Sequence, residues 1–311
     1  MLCGIMIGVI TNPHARGVVT DPLLPRRLAQ IGGDRTLVRE TWNLRQLSDA
    51  VQEFARRGVE VVAACGGDGT NMAVLTEMVR VHGADRLPRL AVLRGGTVNT
   101  VASNLGIQGS PEDILTRLVA WSSRQMMEPV VQRPLLSVNG SHGFLFTAAM
   151  GARFFEAYNA GPLTGVAWAA VLAARITISS LLGTKLARRL FEPVAARIVV
   201  DGSVLPVRRW TLLVAATLED VGLKMRITHR ALERQGYYHL VASGLPAFDL
   251  ARQMHHVFLA RSLSGASHFD RLARESVIEF EQPQPYIMDG DLFQASRLVL
   301  RHGPRVTISV P

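Results

Sequence analysis

The sequence predicts an α/β N-terminal domain with a parallel sheet, followed by a mostly antiparallel β domain with helical insertions. Three observations lead there. Apolar, strand-like runs alternate with helix-period segments up to about Met127, the order of elements that builds a parallel sheet covered by helices. Beyond that point the runs become short, β-branched and punctuated by Asn139-Gly140 and Asp201-Gly202, which are hairpin signals. Two glycine-rich turns, Cys65-Gly66-Gly67-Asp68-Gly69-Thr70 and Arg94-Gly95-Gly96-Thr97-Val98-Asn99, each follow an apolar run, as ligand loops at the carboxyl ends of parallel strands do.

The elements follow in order. Ile5 to Thr11 reads as a first strand; the N-terminal run is short and lacks the basic flank and cleavage site of a leader. It ends in the turn-rich loop Asn12-Pro13-His14-Ala15-Arg16-Gly17. Leu44, Leu47, Val51 and Phe54 recur at helical spacing, and Gly58 closes that helix. A strand from Val59, the first glycine turn, a helix from Asn71 to His82 and a strand over Leu90–Leu93 come next. Ser110-Pro111-Glu112-Asp113 opens a helix with a cap, a proline at its first position and acidic residues in its first turn. The division falls near Glu128-Pro129, giving domains 1–128 and 129–311. Strands are then expected at Arg133–Val138, Phe144–Ala149, Ala196–Val200, Leu205–Val207, Thr211–Ala216, Met225–Ile227 and Tyr237–Ala242. Val277–Glu281, Arg297–Leu300 and Arg305–Val310 continue them, with helical insertions at Leu163–Leu190 and Phe248–Ser262.

Of 311 residues, 48% are hydrophobic and 19% charged, the make-up of a packed globular chain. The longest apolar stretch, Gly161 to Leu182, is broken by Arg175 and falls short of the ~18–20 uninterrupted residues of a spanning helix. The net charge of +9 rests on arginine, with Lys185 and Lys224 as the only lysines. Such a surface suits an anionic cofactor or anionic lipid. Nucleic acid is not expected, because the chain has no long basic run, zinc-finger spacing or aromatic-interleaved basic strand. Cys3 and Cys65 fit neither a metal spacing nor a disulfide framework, so a reducing, cytoplasmic setting is expected, and the basic surface adds the expectation of peripheral membrane association.

The first glycine turn has the chemistry of a phosphate cradle. Glycine lets the backbone approach an anion and adopt positive φ, and the helix that follows offers N–H groups and a partial positive charge. Asp68 is the odd member, since a carboxylate repels a phosphate unless a metal or a hydrogen-bond role intervenes; an ordinary tight turn is the alternative. Asp289 and Asp291 lie two apart, so in an extended segment they share a face and can divide the work of base and partner. Asp289-Gly290 also reads as a plain hairpin turn, like Asp201-Gly202, and Asn12-Pro13 as a loop start without a ligand. Gly183-Thr184-Lys185 lacks the upstream glycine of a P-loop. His255-His256 are adjacent and diverge on a helix, and Tyr237-Tyr238 reads as strand packing.

Asn12-Pro13, Gly66-Gly67-Asp68-Gly69-Thr70, Gly95-Gly96-Thr97-Val98-Asn99 and Asp289-Gly290-Asp291 occur in this order. Together they resemble the diacylglycerol kinase / sphingosine kinase superfamily, in particular its bacterial lipid-kinase branch, over nearly the whole chain. The resemblance implies a first domain of the NAD kinase/diacylglycerol kinase type, a β-rich lipid domain, and ATP in the cleft between them. It implies magnesium-dependent transfer of the ATP γ-phosphate to a lipid hydroxyl, diacylglycerol- or sphingoid-like, at a membrane surface. By motif matching, Asn12, Gly66, Gly67, Asp68, Gly69, Thr70, Thr97 and Asn99 would line the nucleotide. Asp289 would be the general base, with Asp291 at the family's glutamate position. Metal ligands are not assigned, and oligomeric state stays open, a homodimer among the options.

The departures from the family pattern matter as well. Thr100 stands where an acid usually follows the asparagine, and the family's glycine-rich hairpin is reduced to Asp220-Val221-Gly222-Leu223. The Asp-Asp-Gly linked to a structural metal in several members appears as Arg234-Gln235-Gly236, which puts that metal in doubt. A non-catalytic lipid- or nucleotide-binding protein on the same fold is therefore the main alternative. NAD kinase is a weaker one, because that family's Asn-x-Gly-x-Leu-Gly segment is replaced here by Gly95-Gly96-Thr97-Val98-Asn99. The segment Leu163–Leu190 reads equally as a lipid-facing cover or as buried helix packing.

Overall fold

The computed structural model describes residues 5–124 and 129–311. Cys3 and the expected boundary residue Glu128 lie outside the described residues. The chain opens with β1 (Ile7–Thr11), α1 (Arg16–Thr20), α2 (Leu24–Gly32), β2 (Thr36–Glu40), α3 (Leu44–Arg56), β3 (Val61–Cys65) and α4 (Asp68–His82). It continues through β4 (Arg89–Val92), α5 (Thr100–Asn104), α6 (Pro111–Arg124), β5 (Val130–Val138), β6 (Ser141–Gly143) and β7 (Leu145–Ala149). Next come α7 (Met150–Asn159), α8 (Val166–Leu181), α9 (Lys185–Leu190), β8 (Val194–Val200), β9 (Ser203–Val204) and β10 (Arg209–Trp210). The last elements are β11 (Leu212–Ala216), β12 (Tyr238–Ser243), α10 (Ala247–Arg252), α11 (Met254–Phe258), β13 (His268–Ala273), β14 (Glu275–Met288) and β15 (Asp291–Ser309). These divide into two units, Met1–Leu135 with Ser141–Gly143 and Pro304–Pro311, and Leu136–Gly140 with Phe144–Gly303.

In the first unit β1 and β3 are buried at every position, the mark of a parallel sheet covered on both faces. The pairings are all parallel: Val9 opposite Val38 and Ala63, Ala63 opposite Ala91, and Ile308 of β15 opposite Leu90. The strand order is therefore β2-β1-β3-β4-β15. From β1 the chain moves outward to β2, then returns past β1 to β3 and continues the other way. The loops after β1 and β3 thus diverge at a topological switch point, where open α/β sheets bind ligands. The helices end as their sequences dictate. The Asn43 side chain accepts from the Gln46 N–H at the start of α3, and Gly58 follows its end at φ 67°. Ser110 and Asp113 exchange reciprocal hydrogen bonds at the start of α6.

The second unit is antiparallel throughout, in the order β13-β12-β11-β7-β14-β15, with β8 pairing β14, β9 and β10. Strand β14 serves two neighbours. Ser276–Phe280 face β8 and Tyr286–Met288 face β7, and the register slips between Glu279 and Gln284, where Pro283 and Pro285 withhold N–H donors. Trp210, Tyr238, Phe144 and Phe146 fill the interior. The Trp210 indole donates to the Ala196 carbonyl, and the Tyr238 hydroxyl donates to Ser276 Oγ.

Several expectations need correction. Leu205–Val207 and Met225–Ile227 are not strands: two-residue β9 carries the pairing in the first case, and in the second the segment leads into turns at 227–232. Arg297–Leu300 and Arg305–Val310 are one strand, β15. The helix expected from Asn71 begins at Asp68. Helices α1, α2, α5 and α7 and strands β2, β6, β10 and β13 went unread, Arg16 and Gly17 having been expected in a loop; β2 alternates weakly, with no residue fully buried.

Strands β12 and β13 also enclose a knot of titratable groups. His239 is fully buried, with Nε2 2.8 Å from Asp270 Oδ1 and Nδ1 accepting the Arg230 N–H at 3.3 Å. The Arg230 guanidinium reaches the same Asp270 oxygen and also Glu233. Burial alone would raise Asp270, but His239 and Arg230 hold its carboxyl below the usual range. His229 stands edge-on to His239, and His268 lies two residues from Asp270 with both ring nitrogens unpartnered. Burial lowers the pKa of His229 and of His268. Both imidazoles then stay neutral in the folded chain while the unfolded chain takes up protons below about pH 6.5. Stability should be complete above that pH and decline as the pH falls below it. Urea midpoints at pH 7.5 and 5.5 check this. The midpoint should drop in acid, the drop should shrink in His268→Phe, and equal midpoints for the unaltered chain would contradict the account.

Candidate functional site

At the switch point, Asn12 joins the ends of β1 and β3. Its N–H donates to the Cys65 carbonyl at 3.1 Å, its Oδ1 accepts from the His14 N–H at 2.9 Å, and its Nδ2 donates to Thr70 Oγ1 at 2.9 Å. The loop after β1 is thereby tied to the first turn of α4. Gly67 is the N-cap of that helix, with φ −89° and ψ −172°. Asp68, Gly69 and Thr70 are its first three residues, so helix geometry leaves their N–H groups without an intrahelical acceptor. They sit at the positive end of a 15-residue helix.

The second glycine turn packs directly on the first. A Cβ on Gly95 would lie 2.9 Å from Gly66 N and 3.1 Å from Gly66 Cα, and one on Gly96 would run into Gly67 Cα. Gly17 completes the contact, its N–H donating to the Gly95 carbonyl at 2.9 Å. None of Gly66, Gly67, Gly95 and Gly96 is at positive φ; Arg94 and Asn99 are, at 42° and 54°. The sequence reading assigned the glycines to positive φ and anion approach. What the backbone requires of them first is close contact between two turns.

Asp68 braces that contact. Its Oδ2 accepts the Thr100 N–H at 2.8 Å and its Oδ1 the Val101 N–H at 3.1 Å, so one carboxylate joins the start of α4 to the start of α5. Burial pushes the Asp68 carboxyl up, and these two N–H groups together with the Thr100 hydroxyl pull against it. Thr100, which departs from the family pattern, is thus a direct partner of Asp68. Asn99 closes its own turn, with Oδ1 accepting from Gly96 N at 3.0 Å and Nδ2 donating to Gly96 O at 2.9 Å. Thr97 is half-buried on that turn. The structure therefore groups Asn12, Gly66, Gly67, Asp68, Gly69, Thr70, Thr97 and Asn99 in one neighbourhood of the first unit. It adds Gly17 and the backbone of Thr100 and Val101. Gly17 was legible as a loop glycine, whereas nothing in the sequence announced the two N–H donors.

Asp289 and Asp291 belong to the second unit. Asp289 and Gly290 are the two central residues of the β14–β15 hairpin, at φ 44° and 91°, the positive pair of a type I′ turn. The segment is not extended, so the alternation argument that put both carboxylates on one face does not apply. Asp289 is 3% exposed and accepts the Phe144 N–H at 2.8 Å and the Leu145 N–H at 2.9 Å, while Asp291, the first residue of β15, is exposed as a residue but has its carboxyl pushed up by partial burial. The same device recurs twice in this unit. Asp201 accepts from the Arg274 and Glu275 N–H groups, and Asn139 exchanges hydrogen bonds with Val299 and Arg297. Each polar residue precedes glycine in a hairpin and plugs the neighbouring strand. Asp289 differs from Asp201 in being buried.

The contact between the turns yields a test in unfolding. Gly96→Ala should lower stability by about 1–3 kcal/mol, because backbone on both sides must give. In Gly67→Ala the new methyl meets only Gly96 Cα, at 3.5 Å, and the loss should stay under about 1 kcal/mol, that of a poorer cap. Urea denaturation compares the two. Equal losses would show that the contact does not constrain the fold.

Comparison with known proteins follows this geometry. Residues 6–128 match the family model of the diacylglycerol kinase catalytic domain. Over 106 residues the chain is 31% identical to the "Probable lipid kinase YegS" of Shigella flexneri and, equally, to that of Escherichia coli O1:K1 / APEC. Each match covers 34% of this chain and 35% of the relative, so it spans about a third of the relatives' length. A solved structure of a diacylglycerol kinase from Bacillus anthracis str. Sterne has a TM-score of 0.65 at 15% identity, over 100% of this chain and 98% of that one. A second structure from the same strain reaches 0.71 at 17% identity, over 100% and 99%. These two likenesses concern the fold, parallel α/β first and antiparallel β after. Residues 6–128 are thus similar to the diacylglycerol kinase catalytic domain, and the likeness of the whole chain to the two solved structures is one of fold.

Proposed function

We propose that the chain is an ATP-dependent lipid kinase that transfers the γ-phosphate to a lipid hydroxyl, diacylglycerol- or sphingoid-like. The observation that carries this reading is the pair of glycine turns locked together at the N-terminus of α4, inside the segment that matches the kinase family. The N–H groups of Asp68, Gly69 and Thr70 bind and orient the nucleotide's phosphates. Asp68 holds the two turns in register, and Asn12 ties the loop after β1 to the first of them, so that those donors stay fixed. Among the described residues, no three His, Cys, Asp or Glu side chains converge to hold a metal. A magnesium ion would therefore arrive on the phosphates and be held mainly by them, with at most one or two carboxylates of this chain. Bound in that way, magnesium supplies neutralisation of phosphate charge.

In this reading Asp289 receives the proton of the acceptor hydroxyl. Two N–H bonds fix its carboxyl group in place. A loose phosphoryl-transfer transition state asks for an oriented hydroxyl more than for a strong base. Asp291, at the family's glutamate position, would help aim it. A second reading has a specific observation behind it: Asn139 and Asp201 use the same turn device, so Asp289 would be a structural plug in a binding protein without turnover. Asp289→Asn separates the two. Asparagine suits a type I′ turn and keeps the side chain's shape, but it accepts only one of the two N–H groups, so the melting temperature is measured beside turnover. The kinase reading expects turnover of labelled ATP with a lipid panel to fall at least about a thousandfold with ATP affinity unchanged; activity near that of the unaltered chain would leave only the structural role. Gly67→Ala should independently weaken ATP binding by about tenfold, through its added methyl at the phosphate cradle. Unchanged affinity in calorimetry would argue against a cradle there.

A further inference from the structure

Helix α8 is largely apolar: Arg175 is its only charged residue between Val166 and Leu181, and its hydroxyl residues Thr177, Ser179 and Ser180 are half-buried or buried. Such a helix is ordinarily covered all round. Here one side is covered: Ala169, Leu172 and Ile176 pack into the cluster that holds Tyr158 and Leu212. The opposite side is bare. Exposed positions 167, 170, 171, 174, 178 and 181 recur every three or four residues along one stripe. Within it, Val171 and Ile178 are 57% and 58% exposed, and Leu182, just past the helix end, is 73% exposed. An apolar stripe of this kind marks an interaction surface.

Charge decides what covers it. Arg175 lies in the stripe, and α9 presents Lys185, Arg188 and Arg189, all exposed. No acidic residue occurs between Glu156 and Glu192. A second copy docking by two-fold symmetry would set this cationic patch against itself with no acid to offset it. Crossing a bilayer is excluded for α8, because no described helix is long and apolar enough. An apolar stripe whose own helix and the next carry cations and no acid complements acyl chains beneath anionic headgroups. We infer that α8 and α9 dock the second unit onto an anionic lipid bilayer, the stripe entering the interface and the cations meeting the headgroups. The inference takes the lipid-acting reading as its setting, but its test needs neither nucleotide nor turnover.

The test is co-sedimentation of the full chain with vesicles of phosphatidylcholine alone or with roughly a third phosphatidylglycerol. The unaltered protein should bind the anionic vesicles and leave the neutral ones largely in the supernatant. Ile178→Glu combined with Leu182→Glu should reduce that binding at least about tenfold, with the melting temperature unchanged because both side chains are exposed. Should that variant fail to fold, Ile178→Ser with Leu182→Ser carries the same comparison. Arg188→Ala with Arg189→Ala should reduce binding to the anionic vesicles by about thirtyfold, the effect of two headgroup-bound cations. No binding by the unaltered protein, or undiminished binding by the folded Ile178 and Leu182 variant, would overturn the inference. So would a dimer in light scattering that becomes a monomer in that variant, since the face would then belong to a second copy. Failure here leaves the kinase reading standing. A chain that binds vesicles yet transfers no phosphate would leave this inference standing.

Discussion

Two turns that touch backbone to backbone constrain everything at the switch point of the first unit. Gly95 and Gly96 lie so close to the backbone of Gly66 and Gly67 that a side chain on either would force the turns apart. The contact fixes where α4 and α5 begin. Asp68 then holds it closed by accepting an N–H from each of the first two residues of α5. Asn12 adds the loop after β1 through Thr70. The positive end of α4 is thus a fixed object, its donors aimed before any ligand arrives, and such preorganisation is what anion binding and phosphoryl transfer draw on.

The carboxylates have a different standing from the one their motifs suggested. Asp68 looked like a metal-organising acid beside phosphates, yet its oxygens first serve the backbone. Thr100 is not merely a missing acid, because its N–H and hydroxyl are partners of Asp68. Asp289 sits in a hairpin of a type this unit uses repeatedly, with Asn139 and Asp201 in equivalent poses. Its burial sets it apart from Asp201, and that burial is what lends weight to a chemical role.

The sequence was most legible where local signals were strong. The buried runs of β1 and β3, the helix spacing of α3, the cap before α6 and the Asn-Gly and Asp-Gly hairpins all follow from short-range chemistry. Long-range pairing decided the rest. Strand β2 has a weak pattern and owes its place to β1. Strand β15 is continuous because β14 pairs it on both sides of a register slip, which no window of a few residues reveals. At the candidate site the residue types could be read, but not their partners. Glycine explains itself either by positive φ or by close approach, and only the three-dimensional contact between the turns separates the two.

The most direct test of the central claim, that these joined turns cradle the phosphates of a nucleotide, is amide hydrogen exchange with and without ATP. The account predicts added protection at Asp68, Gly69 and Thr70 and at the Gly95–Thr97 turn, with the His239 and Asp270 region unchanged. Exchange at the two turns that ignores ATP, in a protein shown to be folded, would contradict it.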